Sequence, residues 1–490
     1  MEPRKTAKDD AGSAAIETIA PDICVIGGGS GGLSVAAAAA AFGRSVVLIE
    51  KHKMGGDCLN YGCVPSKALI AAGRRAHTMR TSQAFGIEPV DPVVDFSAVH
   101  RHVHSVIAAI APNDSIERFQ GLGVRVIQAV ARFADASTVV AGDHRITARR
   151  FVIATGSSPM VPPIPGLSQV SYLTNETLFD NTVRPDHLVI IGGGPIGMEM
   201  AQAHRRLGSR VTVIEGAKAL GKDDPEMTAL LLGLIRAEGV EVREGTLVER
   251  VEPLMQGVRV HLKAAGGGDA DYVDASHLLV AAGRRPNIAD LNLAAAGIKS
   301  GKAGIEVDRG LRTTNKKVFA IGDVAGGLQF THVANYHAGI VIRRVLFRLP
   351  AKAYTRHVPW VTYTEPELAH VGLSEPEALA QNIKIRVLRW PFHENDRAQA
   401  ERETAGHIKV VTDPKGRILG ATILGAQAGE LVQMWSLAIA QGLNIKAMTA
   451  WVSPYPTLSE VNKRVAYRFF VDKAGNPLLR RIIGWLAKLG

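Results

Sequence analysis

Two stretches of the chain repeat one pattern, and this repeat limits the possible folds more than any other feature. Residues 22–50 have the sequence DICVIGGGSGGLSVAAAAAAFGRSVVLIE, and residues 187–215 have HLVIIGGGPIGMEMAQAHRRLGSRVTVIE. Each begins with an apolar strand, continues through GxGxxG and a helical stretch, and ends with a second apolar strand and a glutamate. The interval from first glycine to glutamate is the same in both copies. The pattern predicts two βαβ units of the Rossmann type.

The glycines of each copy have the spacing that a pyrophosphate site needs. The first makes a tight turn, the second lets the pyrophosphate reach the backbone, and the third allows close packing of helix on strand. The final glutamate can accept hydrogen bonds from the hydroxyls of a ribose. Two dinucleotide sites in one chain suggest an electron relay. The assigned residues are Gly27, Gly29, Gly32 and Glu50 in the first copy, and Gly192, Gly194, Gly197 and Glu215 in the second.

The second glutamate also bears on the choice of nicotinamide cofactor. Glu215 would repel a 2′-phosphate and accept a free 2′-hydroxyl, which favours NADH over NADPH. Four basic residues nearby in sequence weaken this preference. They are Arg205, Arg206, Arg210 and Lys218.

Two of the three cysteines lie close together in GGDCLNYGCVPSK, residues 55–67. A structural disulfide, half of a metal site and a redox-active pair are the three interpretations. Three cysteines in 490 residues are too few for a secreted disulfide framework, and no second Cys/His cluster completes a zinc site. No metal site is therefore predicted. Cys24, within an apolar strand, is interpreted as core packing.

The composition is that of a globular protein, and the sequence contains no recognisable nucleic-acid-binding motif. The formal net charge is +11, which we attribute to a solvated surface that helps to hold anionic cofactors. Residues 1–21 have no apolar signal region and are expected to be disordered. No apolar run is long enough to span a membrane, so a cytoplasmic location is expected.

Several further motifs identify a family. GGDCLNYGCVPSK resembles the active-site signature of the pyridine nucleotide-disulfide oxidoreductases, which include dihydrolipoamide dehydrogenase, glutathione reductase and mercuric reductase. The resemblance covers about residues 22–470 and continues through the motifs ATGS (154–157), AAGRRPN (281–287), FAIGD (319–323), TYTEPELAHVGLSE (362–375) and LGATILGAQAGELV (419–432).

The resemblance implies an α/β fold with two Rossmann-type domains, for FAD and NAD(P)H, and a C-terminal α+β domain that forms a homodimer. Asp323 matches the family aspartate that binds the FAD ribityl chain, and Thr155, Gly156 and Gly283 lie in motifs of the cofactor sites. The expected segments are a disordered N-terminus (1–21), the FAD-binding domain (22–156 and 281–354), the NAD(P)-binding domain (157–280), the dimerisation domain (355–470) and a basic tail (471–490).

The resemblance also favours the redox pair for the two cysteines. It implies that Cys63 contacts the flavin and that Cys58 exchanges with substrate. Cys63 precedes VPSKALIAAG, a predicted helix whose N-terminal dipole would stabilise a thiolate. Lys67 and Glu199 match a family pair that lies beside the flavin and tunes it.

The chain departs from the disulfide reductases near its C-terminus. Those enzymes carry His-Pro-Thr-x-x-Glu, in which the histidine is the acid/base for thiol exchange. Here the sequence is SPYPTLSE, with Tyr455 in place of the histidine and Glu460 retained. A phenol with a pKa of about 10 is a poor base at neutral pH, whereas an imidazole near 6.5 is a good one.

Mercuric reductases also have a tyrosine at this position, and soft thiolates could bind a soft metal ion. Their terminal cysteine pair has no counterpart here, since no cysteine follows Cys63. The favoured function is NAD(P)H-dependent reduction, through Cys58 and Cys63, of a thiol-reactive or metal acceptor. The alternatives are a dihydrolipoamide dehydrogenase and, from another class, a membrane-tethered flavin redox sensor or binding subunit.

The tail, NPLLRRIIGWLAKLG (476–490), has apolar residues at helical spacing together with basic residues. Peripheral contact with the inner membrane surface and docking on the dimer are both possible interpretations of this pattern.

Overall fold

The computed structural model of the chain describes residues 16–266, 271–474 and 476–489. These residues form two compact units, each built from three segments of the chain. Unit one contains the residues up to 58, then 110–158 and 285–353. Unit two contains 59–109, 159–284 and the residues from 354 onward.

A five-stranded parallel sheet is the centre of unit one. Four of its strands are short apolar runs that are almost entirely buried, as expected for a parallel sheet covered on both faces, and the edge strand Val124–Gln128 is partly exposed. A four-stranded sheet, Glu17–Ile19, His144–Ile146, Thr138–Ala141 and Ala131–Asp135, accompanies it. In sheet order, the parallel strands are Val318–Ala320, Arg150–Ile153, Ile23–Ile26, Val46–Glu50 and Val124–Gln128, and the helices of the unit are Ser30–Ala41, Ile116–Gly121 and Thr331–Val345.

The strand Glu17–Ile19 corrects one expectation. It pairs in parallel with His144–Ile146, and Glu17 forms an ion pair with Arg125. Disorder as far as residue 21 is therefore wrong for this strand, because its backbone completes a sheet edge. The expectation for residues 1–15 lies outside the described part of the chain.

Unit two contains the second parallel sheet and a three-stranded antiparallel sheet beside it in sequence. The parallel strands, in sheet order, are Val240–Arg243, Arg210–Ile214, His187–Ile191 and His277–Val280. The antiparallel strands are Thr246–Pro253, Val258–Ala264 and Asp271–Ala275. The helices of this region are Cys63–Arg80, Phe96–Ile110, Pro195–Arg206 and Pro225–Ala237.

The C-terminal part of unit two is a five-stranded antiparallel sheet with helices. Its strands, in sheet order, are Trp360–Thr362, Glu367–Gly372, Ile418–Gly425, His407–Thr412 and Arg386–Pro391. The helices are Glu375–Ala380, Asp396–Glu401, Ala428–Leu431, Gln433–Ala440, Ala447–Ala450, Glu460–Ala474 and Pro477–Leu486. Trp435, fully buried, donates its indole N–H to Asn462 at 2.7 Å in the core of this region.

The predicted fold class is confirmed: two parallel α/β units and a C-terminal α+β region. Cys24 lies in the strand Ile23–Ile26 with no exposed surface, and burial raises the pKa of its thiol far above the usual range. Within the described ranges, no helix has both the length and the hydrophobicity needed to cross a membrane.

Candidate active site

The two GxGxxG loops have the backbone geometry that their glycines require. Gly27 has φ of +110°, and a Cβ there would lie 2.3 Å from the carbonyl oxygen of Ala154. A Cβ at Gly32 would lie 1.9 Å from the oxygen of Gly27. The second loop repeats both contacts, at 2.4 Å for Gly192 and 2.0 Å for Gly197. A side chain is therefore excluded where the turn is made and where the helix packs.

The middle glycines differ from these, because a side chain there would not enter the core. A Cβ at Gly194 would meet no protein atom within 4 Å. A Cβ at Gly29 would meet only the Cα of Gly56, at 3.8 Å. Both helices begin directly after these residues, at Ser30 and Pro195. The loops therefore fit a pyrophosphate that approaches the backbone beside a helix N-terminus.

The terminal glutamates are held in the same way in both copies. Glu50 accepts the backbone N–H of Gly28 at 2.6 Å and that of His52 at 2.7 Å, with one carboxylate oxygen each. Glu215 accepts the N–H of Gly193 and the N–H of Ala217, both at 2.8 Å. Each carboxylate is therefore fixed beside its glycine loop, where it fits a ribose.

Asp323 begins a second group of polar contacts in unit one. Ser157 Oγ donates to Asp323 Oδ2 at 2.6 Å. The preceding Thr155 donates to the carbonyl of Asn287 at 2.8 Å, and the backbone N–H of Asn287 donates to the Gly156 carbonyl at 3.0 Å. Hydrogen bonds thus connect the motif ATGS to the last residue of AAGRRPN. The sequence identified Asn287 and Ser157 only as members of these motifs.

A buried histidine supports the same segment, and no sequence motif had indicated this role for it. His337 Nδ1 accepts the backbone N–H of Gly322 at 3.2 Å, next to Asp323. Burial lowers the pKa of His337, which keeps the imidazole neutral and able to accept this bond. The residues of unit one therefore fit FAD: the first glycine loop and Glu50 for the adenosine diphosphate part, and Asp323 for the ribityl chain.

The glycine pair before the cysteines places the thiol-bearing segment against the first glycine loop. Gly55 donates its N–H to the carbonyl of Gly28 at 2.9 Å, and a Cβ at Gly56 would lie 2.8 Å from the Cα of Gly29. Cys58 is half-buried in the short helix Gly56–Asn60. Gly55 and Gly56 therefore bring the backbone that precedes Cys58 into contact with the first glycine loop.

Cys63 is exposed and is the first residue of the helix Cys63–Arg80, here called the thiol helix. Ser66 donates its hydroxyl to the Cys63 carbonyl at 3.2 Å, and Pro65 lies buried in the first turn. The predicted helix VPSKALIAAG is present and begins one residue before its first letter, at Cys63. Cys63 therefore lies at the positive end of the helix dipole.

Lys67 and Glu199 form an ion pair of 2.8 Å, as the family resemblance implied. The side chain of Glu199 is 7% exposed and that of Lys67 is 37% exposed. Tyr363 joins the pair: its N–H donates to Glu199 at 2.9 Å, and its ring lies 4.2 Å from Lys67 Nζ. Burial, together with the nearby charges of Glu199, Glu367 and Cys63, raises the pKa of the Tyr363 phenol. Tyr363 lies in the motif TYTEPELAHVGLSE, but nothing in that motif indicated that Tyr363 contacts Lys67 and Glu199.

The helices that carry this pair are in tight contact. A Cβ at Gly73 of the thiol helix would lie 3.1 Å from the carbonyl oxygen of Ala203 in the helix Pro195–Arg206. Glu365 forms ion pairs with Arg74 and with the buried Arg206. Lys67 and Glu199 are thus carried by helices that are fixed to each other.

Gly283, in the motif AAGRRPN, has φ of +117°. Its carbonyl accepts the N–H of Met160 at 2.9 Å. Both residues belong to unit two, which also contains the second glycine loop.

Tyr455 is 71% exposed, and its hydroxyl bonds Asp396, not Glu460 of the same motif. Its hydroxyl donates to Asp396 Oδ2 at 2.7 Å, while Glu460 accepts from Arg464 at 2.8 Å. The bond to Asp396 raises the pKa of Tyr455, and the Glu460 charge adds to this. Asp396 was missed because it is remote in sequence. The phenolate, which is the form that could accept a proton, is therefore even scarcer at neutral pH.

Comparison with known proteins agrees with this geometry. Residues 21–338 match the family model described as pyridine nucleotide-disulphide oxidoreductase, and residues 358–466 match its dimerisation domain. A mercuric reductase of Lysinibacillus sphaericus is 35% identical over 454 residues, which is 92% of this chain and 83% of that protein. A dihydrolipoyl dehydrogenase of Geobacillus stearothermophilus is 34% identical over 469 residues, 93% of this chain and 97% of that protein.

A solved structure shares the fold. It is the Cu(II) complex of RclA, an HOCl-induced flavoprotein disulfide reductase from Escherichia coli, with a TM-score of 0.82 and 27% identity. The match covers 90% of this chain and 99% of RclA. The dimerisation domain indicates a homodimer. The chain therefore belongs to the pyridine nucleotide-disulphide oxidoreductase family and is an FAD-dependent, NAD(P)H-linked oxidoreductase.

Proposed function

We propose that this oxidoreductase reduces a soft metal ion or another thiol-reactive electrophile, bound by Cys58 and Cys63, rather than a lipoyl disulfide. The observation that carries the proposal concerns Tyr455, which occupies the motif position where disulfide reductases have their histidine base. The Tyr455 hydroxyl donates a hydrogen bond to Asp396. A metal ion needs no proton delivered to an organic sulfur. The mercuric reductases among the relatives and the Cu(II) complex of RclA support the same acceptor class.

The roles of the chain's own residues follow from the contacts around the thiol helix. Cys63, at the helix N-terminus, is favoured as a thiolate, and thiolates are good ligands for soft ions. Lys67 places a positive charge next to Tyr363, held by the buried Glu199. FAD, when bound, supplies the electron transfer between the nicotinamide and the cysteine pair.

A comparison of acceptors tests the proposal. The purified holoenzyme is given NADH and either lipoamide, Hg(II) or Cu(II), and NADH oxidation is followed together with the reduced product. Electrons balance when one NADH yields one Hg(0), or two Cu(I), with one NAD⁺ and one H⁺. We expect metal turnover to exceed lipoamide turnover by about 10²-fold, the lower end of the contribution of a general base.

Two other results would overturn this assignment. Brisk lipoamide reduction with little metal turnover would make the protein a dihydrolipoamide dehydrogenase with a different base. Flavin reduction by NADH without turnover of any acceptor would instead indicate a redox sensor or binding subunit.

We further propose that NADH is the preferred reductant. Of the basic residues near Glu215 in sequence, Arg206 is buried in ion pairs with Glu238 and Glu365, and Arg205 donates to the Glu238 carbonyl at 2.9 Å. Arg210 begins the strand Arg210–Ile214, whose opposite end leads to Glu215. Of the four basic residues, Lys218 is the one that lies in the loop directly after Glu215, and its positive charge acts on the carboxylate of Glu244.

Substitution of Glu215 by serine should reduce this preference. The carboxylate would no longer accept from the ribose or repel a 2′-phosphate, and hydrogen bonds to charged groups contribute about 1.5–3 kcal/mol. We expect the ratio of kcat/KM for NADH to that for NADPH to fall by roughly 10- to 100-fold. Glu241→Gln, on the neighbouring strand Val240–Arg243, is the matched control and should leave the ratio unchanged. A ratio that Glu215→Ser does not alter would refute the role of Glu215.

The tail helix, Pro477–Leu486, is proposed to contact an anionic membrane surface. Asn476 caps it by accepting the N–H groups of Leu478 and Leu479. Its apolar residues are exposed, its basic residues lie on the other face, and residues 476–489 contain no acidic side chain. Charge complementarity therefore favours a lipid surface over a second copy of the chain. The exposed apolar residues are Leu478, Leu479, Ile482, Ile483, Trp485, Leu486 and Leu489, and the basic ones are Arg480, Arg481 and Lys488.

Vesicle sedimentation of the full-length holoenzyme checks this proposal. Each basic residue near an anionic surface contributes about 1 kcal/mol, so we expect roughly 100-fold stronger binding to phosphatidylglycerol vesicles than to phosphatidylcholine vesicles. Ile482→Glu should weaken binding to both, and Arg480→Glu with Arg481→Glu should remove the preference. Equal binding to both lipids, or a loss of the dimer in Ile482→Glu, would contradict a membrane role and favour docking on the protein.

A further inference from the structure

Two histidines outside the proposed active site form a pair on one helix. His100 and His104 are separated by one helical turn in Phe96–Ile110, here called the histidine helix, and their ring centroids are 4.2 Å apart. Val103, between them in sequence, is buried in the core and anchors the helix. The two imidazoles therefore lie side by side on one face of a helix that is anchored in the core.

The hydrogen bond of His104 determines which ring nitrogen can bind a ligand. His104 Nε2 lies 3.0 Å from the carbonyl oxygen of Phe179, and 3.6 Å from Asp180 Oδ1. Because a carbonyl oxygen only accepts, Nε2 carries the proton, and in the neutral ring Nδ1 keeps its lone pair. A histidine that binds a metal with one nitrogen usually donates the other N–H to a carbonyl or carboxylate.

His100 supplies the second nitrogen. It lies one helical turn before His104 on the same face of the histidine helix, and two histidines at i and i+4 on one helix face are a known metal-binding spacing. The ring centroids are 4.2 Å apart and the ring planes are tilted by 42°, so the two imidazoles are close neighbours on this face.

From this arrangement we infer that His100 and His104 form a binding site for a first-row divalent metal ion, with Cu(II) held most tightly. Imidazole suits copper, nickel and zinc, and Cu(II) has the highest affinity in the divalent series. The described residues contain no group of three or more His, Cys, Asp or Glu side chains that could hold a metal ion, so the two imidazoles would be the only side-chain ligands and water would complete the coordination. The site is independent of the cysteine pair and of the acceptor proposed above.

Copper binding to the holoenzyme tests the inference. The untagged protein carries Cys58→Ser and Cys63→Ser, which removes the thiol ligands, and is titrated with CuSO₄ by calorimetry and electron paramagnetic resonance. We expect one Cu(II) per chain whose spectrum shows nitrogen coupling from two imidazoles. Substitution of His100 or His104 by alanine should weaken its binding at least tenfold, since either change leaves a single protein ligand.

His102→Ala is the matched control, because His102 lies on the same helix and is exposed. It should retain the full affinity for copper. Thermal unfolding of each variant separates loss of a ligand from loss of fold, and His100→Asn replaces His100→Ala if the latter is unstable. The inference is overturned if the His100 and His104 variants bind copper like their parent, or if His102→Ala weakens binding equally.

Discussion

Substitution of Cys63 by serine should abolish the NADH-driven reduction of every acceptor while leaving NADH able to bleach the flavin absorbance. Cys63 is the exposed first residue of the thiol helix, and its sulfur is the group that the helix dipole favours as a thiolate. A serine hydroxyl neither forms a disulfide nor binds a soft ion. Turnover with Hg(II), Cu(II) or lipoamide should fall on the order of 10⁴-fold, the scale on which loss of one member of a catalytic unit acts.

Two further variants complete this experiment, measured by steady-state NADH oxidation. Cys58→Ser should cause a loss of turnover as large as that in Cys63→Ser, because a single sulfur cannot form the disulfide. Cys24→Ala is the control: Cys24 is buried in a strand of unit one and should affect stability rather than turnover. If Cys63→Ser kept substantial metal turnover, electrons would reach the acceptor without the cysteine pair.

Replacing Tyr455 by histidine should raise lipoamide turnover by about 10²-fold or more. The imidazole would titrate near pH 6.5, whereas the pKa of the tyrosine is raised by its bond to Asp396. Asp396 and Glu460 are the carboxylates whose charges act at this position, and either could orient an imidazole N–H. The measurement is kcat for lipoamide between pH 5.5 and 9, in which the gained activity should rise as the new histidine loses its proton.

Tyr455→Phe is the matched control for this gain. It removes the hydroxyl and its bond to Asp396 but supplies no base, so lipoamide turnover should stay low. A gain in Tyr455→Phe as large as that in Tyr455→His would mean that the tyrosine blocks the acceptor instead of lacking basicity. A natural protein that already reduces lipoamide briskly would show that its base is elsewhere.

The sequence predicted the features that depend on local spacing. The two glycine loops and the helix that begins at Cys63 follow from motifs whose geometry is nearly fixed by residue type, whereas the pairing of Lys67 with Glu199, 132 positions apart, was implied by the family resemblance. The fold class followed for the same reason, since each motif requires a parallel βαβ unit around it.

Contacts between residues remote in sequence could not be predicted in this way. Asp396 reaches Tyr455 across 59 positions, and Tyr363 joins Glu199 across 164. His337 supports Gly322 through a helix that returns to the FAD-site segment. The strand Glu17–Ile19 was missed because its stability comes from pairing with His144–Ile146 and not from its own apolar pattern.

The way in which Glu50 and Glu215 are held has a consequence for how each dinucleotide enters its site. A carboxylate offers about four lone-pair positions. Two of them are occupied by backbone N–H groups in each copy, which leaves two for the hydroxyls of one ribose. The side chain can therefore bind the sugar without releasing the loop. Since its rotamer is already fixed, little conformational entropy is lost on association, and the affinity for the cofactor is correspondingly increased.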